Sequence, residues 1–131
     1  MQAPADIRTR LLLSVQRALL GAVPASLREV TCGWEDSWIK LRFVFDGEIA
    51  AVDKESAQIA ATEVIADFSE PWMIAEEIVR IDHPADLKCD EGRLPLTAYR
   101  RRDPGGTILD ALPSTAIPDA APRDAPAPQA R

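Results

Sequence analysis

The residues able to do chemistry are few and poorly assembled. The only histidine is His83, between Asp82 and Pro84. An Asp-His pair can serve acid–base chemistry, the carboxylate orienting a ring that moves a proton near neutral pH. Such a pair needs a group to activate. The serines at 14, 26, 37, 56, 69 and 114 fall in caps, turns or polar helix faces, and none stands in a Gly-x-Ser-x-Gly elbow. Cys32, His83 and Cys89 lack the paired spacing of a zinc site and have no fourth soft ligand. Glu76 and Glu77 are adjacent carboxylates, but neighbours on a strand point to opposite faces. Asp46-Gly47-Glu48 lacks the alternating oxygens and terminal Glu of a calcium loop and reads as a turn. Asp103-Pro104-Gly105-Gly106 has no phosphate-loop lysine. These residues predict no catalytic group, no metal and no cofactor. The enzyme reading, with Asp82 and His83 as its acid–base pair, is the alternative, and a strand-ending His before Pro is more often structural.

The elements that would position these residues follow from hydrophobic period. Asp6 predicts the N-cap of a helix to about Leu20, stopped by Gly21. Ile7, Leu11, Val15, Ala18 and Leu19 form its core stripe, with Leu13 and Leu20 facing away. Leu27 to Trp34 reads as a strand with Val30, Cys32 and Trp34 on one face and Glu29 and Thr31 on the other. Gly33 suggests a bulge or a positive φ. Glu35-Asp36-Ser37 turns the chain into a second strand with a clean period of two. There Ile39, Leu41, Phe43 and Phe45 face in, and Trp38, Lys40, Arg42 and Val44 face out. Asp53 predicts the N-cap of a second helix over 54–68, where Ala57, Ala60, Ala61, Val64, Ile65 and Phe68 recur at helical spacing before Pro71. Residues 72–81 alternate imperfectly, which a bulge near Glu76-Glu77 would reconcile. Residues 94–100 give a short last strand, with Pro95 suited to an edge. The reading is an α+β fold, α-β-β-α-β-β, with four antiparallel strands covered on one face by two helices.

This domain spans residues 1–102. Residues 103–131 are rich in Pro and Ala and hold no aromatic residue. They are expected to be a disordered tail, since such chain buries too little apolar surface to offset its conformational entropy. The 131 residues carry a net charge of −6. Residues 1–103 hold 13 Lys and Arg against 18 Asp and Glu, so the acidity belongs to the folded part. An acidic surface repels phosphate backbones and anionic lipid, which argues against a nucleic-acid partner and permits a basic protein partner. No apolar run is long enough to cross a bilayer and no secretion signal is visible, so the expected location is cytoplasmic. Cys32 and Cys89 are expected to be free thiols, one in a strand and one in a loop.

Four segments look familiar as sequence: Leu41-Arg42-Phe43-Val44-Phe45-Asp46-Gly47-Glu48-Ile49, Asp53-Lys54-Glu55-Ser56-Ala57, residues 61–68 and residues 76–84. Over roughly residues 7–100 they resemble a family of small bacterial proteins associated with immunity in contact-dependent or polymorphic toxin systems. The resemblance implies a non-catalytic binder that blocks a toxin's catalytic domain, and it carries over no site residues. The surface expected to bind is the acidic outer side of the second helix with the adjoining turns: Asp46, Glu48, Glu55, Ile59, Glu63 and Asp67. Ile59 would be the apolar anchor and the carboxylates would steer a basic partner. The alternative is a small regulatory or scaffold protein that dimerises through an open sheet face lined by Trp38, Lys40, Arg42 and Val44. Oligomeric state is not legible.

Overall fold

The computed structural model describes residues 4–104. Helix α1 (Pro4–Leu19) begins with Pro at a first-turn position, where its missing N–H costs nothing. Asp6 therefore sits inside the first turn and not at the cap. Gly21, at φ +74°, ends the helix in the left-handed region that favours glycine. Strands β1 (Leu27–Glu35) and β2 (Trp38–Phe45) form the expected hairpin. Its turn is Asp36-Ser37, with Asp36 at φ +55°, a conformation that Asp tolerates better than most residues.

Helix α2 (Ala51–Ala66) starts two residues before the expected Asp53 cap. Ala50 is the N-cap and offers no side-chain bond. Asp53 lies in the first turn, where its charge complements the helix dipole. Three alanines, Ala57, Ala60 and Ala61, let α2 sit close on the sheet beside Val64. Residues 51–66 then deliver the chain to strand β3 (Met73–Arg80), followed by a short 3-10 turn at Leu87–Cys89 and strand β4 (Leu96–Arg100).

The sheet order is β3-β2-β1-β4. The α+β class and the element order are as expected, but the sheet is mixed, not antiparallel throughout. β3 runs parallel to β2, from Trp38 opposite Met73 to Phe45 opposite Arg80. The reason is length. A helix of 16 residues spans about 24 Å, close to the roughly 26 Å of an eight-residue strand. α2 therefore carries the chain from the end of β2 back to its start, and the next strand must run the same way. The β2–β3 register is unbroken, so the bulge expected at Glu76-Glu77 is absent and simple alternation holds. Met73, Ala75, Glu77 and Val79 share the outer face with Trp38. The register shifts instead at the β1 pairings: Arg28 is the extra residue of β1 against β2, and Ala98 is the extra residue of β4 against β1. Gly33 is regular and pairs with Lys40. A Cβ there would lie 3.1 Å from Pro95 Cδ, so the glycine makes room for the proline that enters edge strand β4.

The core lies between the helices and one sheet face. Ile39, Leu41, Phe43, Phe45, Ala61, Val64 and Phe68 are buried as expected, while Ile65 is half-buried at the margin. Cys32 is buried in this core and its thiol is pushed up to about 12 by desolvation. Cys89 is exposed, and both thiols are free.

The other sheet face is not open. Residues 81–95 run from β3 at one edge to β4 at the other and pass across it. This covers Val44, which is 1% exposed, and Arg42, which is 6% exposed, both expected in solvent. Leu87 is the buried apolar residue of that segment, and polar bonds attach the rest. Arg28 donates to the carbonyls of Ile81 at 2.8 Å and Ala85 at 3.0 Å. The Leu94 N–H donates to Thr31 Oγ1. Arg42 donates to Glu77 at 3.0 Å and also pairs with Asp90. Gly92 packs on the flat of that guanidinium, where a Cβ would approach within 2.8 Å. Glu29, 1% exposed, accepts from Arg93 at 2.8 Å and Arg100 at 2.9 Å. Only the end of this face bearing Trp38, Lys40, Met73 and Ala75 remains open, so the four-residue dimer face expected from the alternation does not exist as a unit. The tail expected over 103–131 lies outside the described residues from position 105 onward.

Candidate functional site

Helix α2 sets out one long outer face. Val52, Glu55, Ile59 and Glu63 recur at three- and four-residue spacing, so they stack on one side. All four are exposed, Val52 at 65% and Ile59 at 51%. The stripe extends about 17 Å along the helix. Two apolar side chains flanked by carboxylates are held there by a helix whose opposite side is locked into the core. Val52 was not among the expected contact residues, although its spacing from Glu55 and Ile59 was a visible signal.

The other expected residues part company with this stripe. Glu48 is exposed in the turn before α2. Asp46 is bound within the fold. Its Oδ2 accepts from Arg101 at 2.6 Å and its Oδ1 from the His83 N–H at 3.1 Å. The Arg101 hydrogen bond holds its carboxyl below the usual range. Asp67 caps the C-terminal end of α2 and turns toward α1. It accepts from Ser14 Oγ at 2.6 Å and pairs with Arg17, while its carbonyl accepts from Arg10 at 3.0 Å. The Ser14 bond first, and then Arg17, lower its pKa. Arg10 also lies over the Phe68 ring, 4.6 Å from its centre. Asp46 and Asp67 thus tie elements together, and Glu48, Glu55, Ile59 and Glu63 face outward.

The residues weighed for catalysis are similarly occupied. Asp82 accepts from the Gly47 N–H at 2.7 Å and from Arg80 at 3.0 and 3.1 Å. Arg80 is the main cause of its lowered pKa. The carboxylate that would orient His83 is spent on the turn after β2, where Gly47 adopts φ +83°. Glu76 and Glu77 point to opposite faces of β3, and Glu77 serves Arg42. Among the described residues no group of three or more His, Cys, Asp or Glu converges as metal ligands would. A recess between Pro24, Phe45 and the start of α2 holds about 10 Å³, room for roughly one water and far below a ligand site. No helix among the described residues is long and apolar enough to cross a membrane.

Residues 8–103, spanning both helices and all four strands, match the MafI2 immunity protein family. The chain belongs to that family. The match begins in α1 and ends just after β4, so the whole described domain is the family's unit. No curated protein matches the chain. Membership agrees with the immunity resemblance.

Proposed function

We propose that this chain protects its host by binding a cognate toxin domain in the cytoplasm, one to one and without catalysis. Membership of the MafI2 immunity family carries this reading. The contact surface is the outer side of α2, with Ile59 and Val52 as apolar anchors and Glu55, Glu63 and Glu48 as steering charges. Asp46 and Asp67, tied into the fold, support that surface from its two ends. The partner is basic where it meets this stripe. A net charge of −6 accelerates encounter with such a partner and repels nucleic acid that competes for it.

The test is binding kinetics between this chain and the toxin domain encoded beside it, at two salt concentrations. Glu55→Lys with Glu63→Lys should slow association by about tenfold or more at low salt and flatten its salt dependence. Ile59→Ala should mainly speed dissociation. Unchanged on-rates in the double variant would rule out this surface, and no binding by the native chain would remove the toxin-binding reading. Asp67→Lys is a poor probe, because it breaks the Ser14 and Arg17 contacts and damages the fold itself.

A further inference from the structure

The sheet has two edge strands, β4 and β3. β4 is short, at five residues, whereas β3 runs for eight and pairs only with β2. Which backbone groups it leaves open follows from two bonds. The Met73 N–H donates to the Ser37 carbonyl and the Ile81 N–H to the Phe45 carbonyl, both at 2.9 Å. In a parallel ladder the N–H and C=O of one residue turn to the same neighbour, and alternate residues turn the other way. The odd positions of β3 therefore serve β2. Ile74, Glu76, Ile78 and Arg80 turn both backbone groups to the free edge. Such a row of donors and acceptors is a template for another strand.

We propose that this edge is the second half of the toxin contact, and that it accepts an extended segment of the toxin as a fifth strand. This rests on the toxin-binding reading above. The chemistry of the edge selects the occupant. Glu76 and Glu77 stand together at the middle of β3 and both are exposed, one on each face. A second copy of this chain, pairing antiparallel about the middle of β3, would set these carboxylates against their own kind, which is unfavourable. A segment with Lys or Arg at its central positions meets Glu76 on one face and, on the other, Glu77, whose carboxylate it shares with Arg42. At the start of β3, Met73 at 51% exposure and its register partner Trp38 at 42% offer an apolar seat for a large side chain at that end of the segment. α2 packs against β3, and a partner that buries about 800 Å² of this chain can reach from the outer stripe of α2 to this edge.

The experiment uses the full chain and a catalytically inactive form of the adjacent toxin domain. Amide exchange followed by NMR should show the N–H groups of Ile74, Glu76 and Ile78 exchanging fast in the free chain and protected in the complex. Glu76→Pro removes one edge donor while sparing every bond to β2, and Pro is compatible with an edge position. It should weaken binding about tenfold or more, the worth of a lost backbone bond in a docked strand. Glu76→Ala should weaken it less, and chiefly at low salt. Far-UV circular dichroism and thermal melting check that Glu76→Pro folds, and the exchange measurement needs no variant. Full binding by folded Glu76→Pro, or edge amides that stay unprotected in the complex, would overturn the edge contact while leaving toxin binding intact. Protection already present in the free chain would also overturn it, because the edge would be taken. Failure of the native chain to bind removes the toxin-binding reading and this inference with it.

Discussion

Glu29→Gln exchanges a carboxylate that is 1% exposed for an amide of the same shape. In the native chain its Oε2 accepts from Arg93 Nη2 at 2.8 Å and from Arg100 at 2.9 and 3.2 Å. Removing one partner of a fully buried ion pair costs about 3–5 kcal/mol. The cost here is lower, because the cations are wetter than the anion. The Arg100 side chain is 45% exposed and can turn to water, so its pair contributes about 0–1 kcal/mol. Arg93, itself part of the covering segment, is 23% exposed, so its charge-assisted bond supplies the larger share. The expected loss is about 2–3 kcal/mol. In a domain of this size that lowers the melting temperature by about 10–20 °C. Urea denaturation of the full chain measures it, together with Arg93→Met, Arg100→Met and each double variant. The double-mutant cycles should give about 1–2 kcal/mol of coupling between Glu29 and Arg93 and less than about 0.5 between Glu29 and Arg100. A Glu29→Gln chain within about 0.5 kcal/mol of native, or the reverse order of couplings, would refute the claim that residues 81–95 are held to the sheet through Glu29.

Other outcomes follow from the same geometry. Phe43→Ala, at a position 1% exposed, should cost about 3–5 kcal/mol by urea denaturation through lost burial and the cavity left. Alkylation in native buffer should modify Cys89 alone, with Cys32 reacting only on unfolding, because its thiol is pushed up to about 12 and has no access to solvent. The carboxyls of Asp46, Asp67 and Asp82 are all held below their ordinary values. Their contribution is therefore present above the usual carboxylate range and lost as pH falls through the lowered values. Urea midpoints should decline below about pH 4, and Asp67→Asn should shrink that decline.

Much of the fold was legible because half-buried elements carry their period in the sequence. The alternation Ile39, Leu41, Phe43, Phe45 placed β2, and the spacing of Ala57, Ala61 and Val64 placed α2. Strand direction was not written in that alternation, since β3 shows the same pattern whether parallel or antiparallel. The length of α2 held the answer. The cover on the outer face was invisible for another reason. Residues 81–95 have no hydrophobic period, so nothing warned that Arg42 and Val44 would be enclosed. For the candidate site, the exposed Glu55, Ile59 and Glu63 could be read from helix geometry alone. The engagement of Asp46 and Asp67 could not, because Arg101 and Arg17 lie 55 and 50 residues away in the chain.

The parallel crossover also fixes when the proposed binding edge comes into being. The β1–β2 hairpin closes over a two-residue turn and can form in microseconds. β3 can join only after the intervening chain, α2 included, has folded back along β2, a non-local closure that comes late and slows folding. A chain caught between those events already owns its hairpin, yet it has no β3 edge to present. Protection against a toxin should then keep pace with this last pairing and not with the first collapse, and a slowed crossover would leave the host exposed while the protein is already compact.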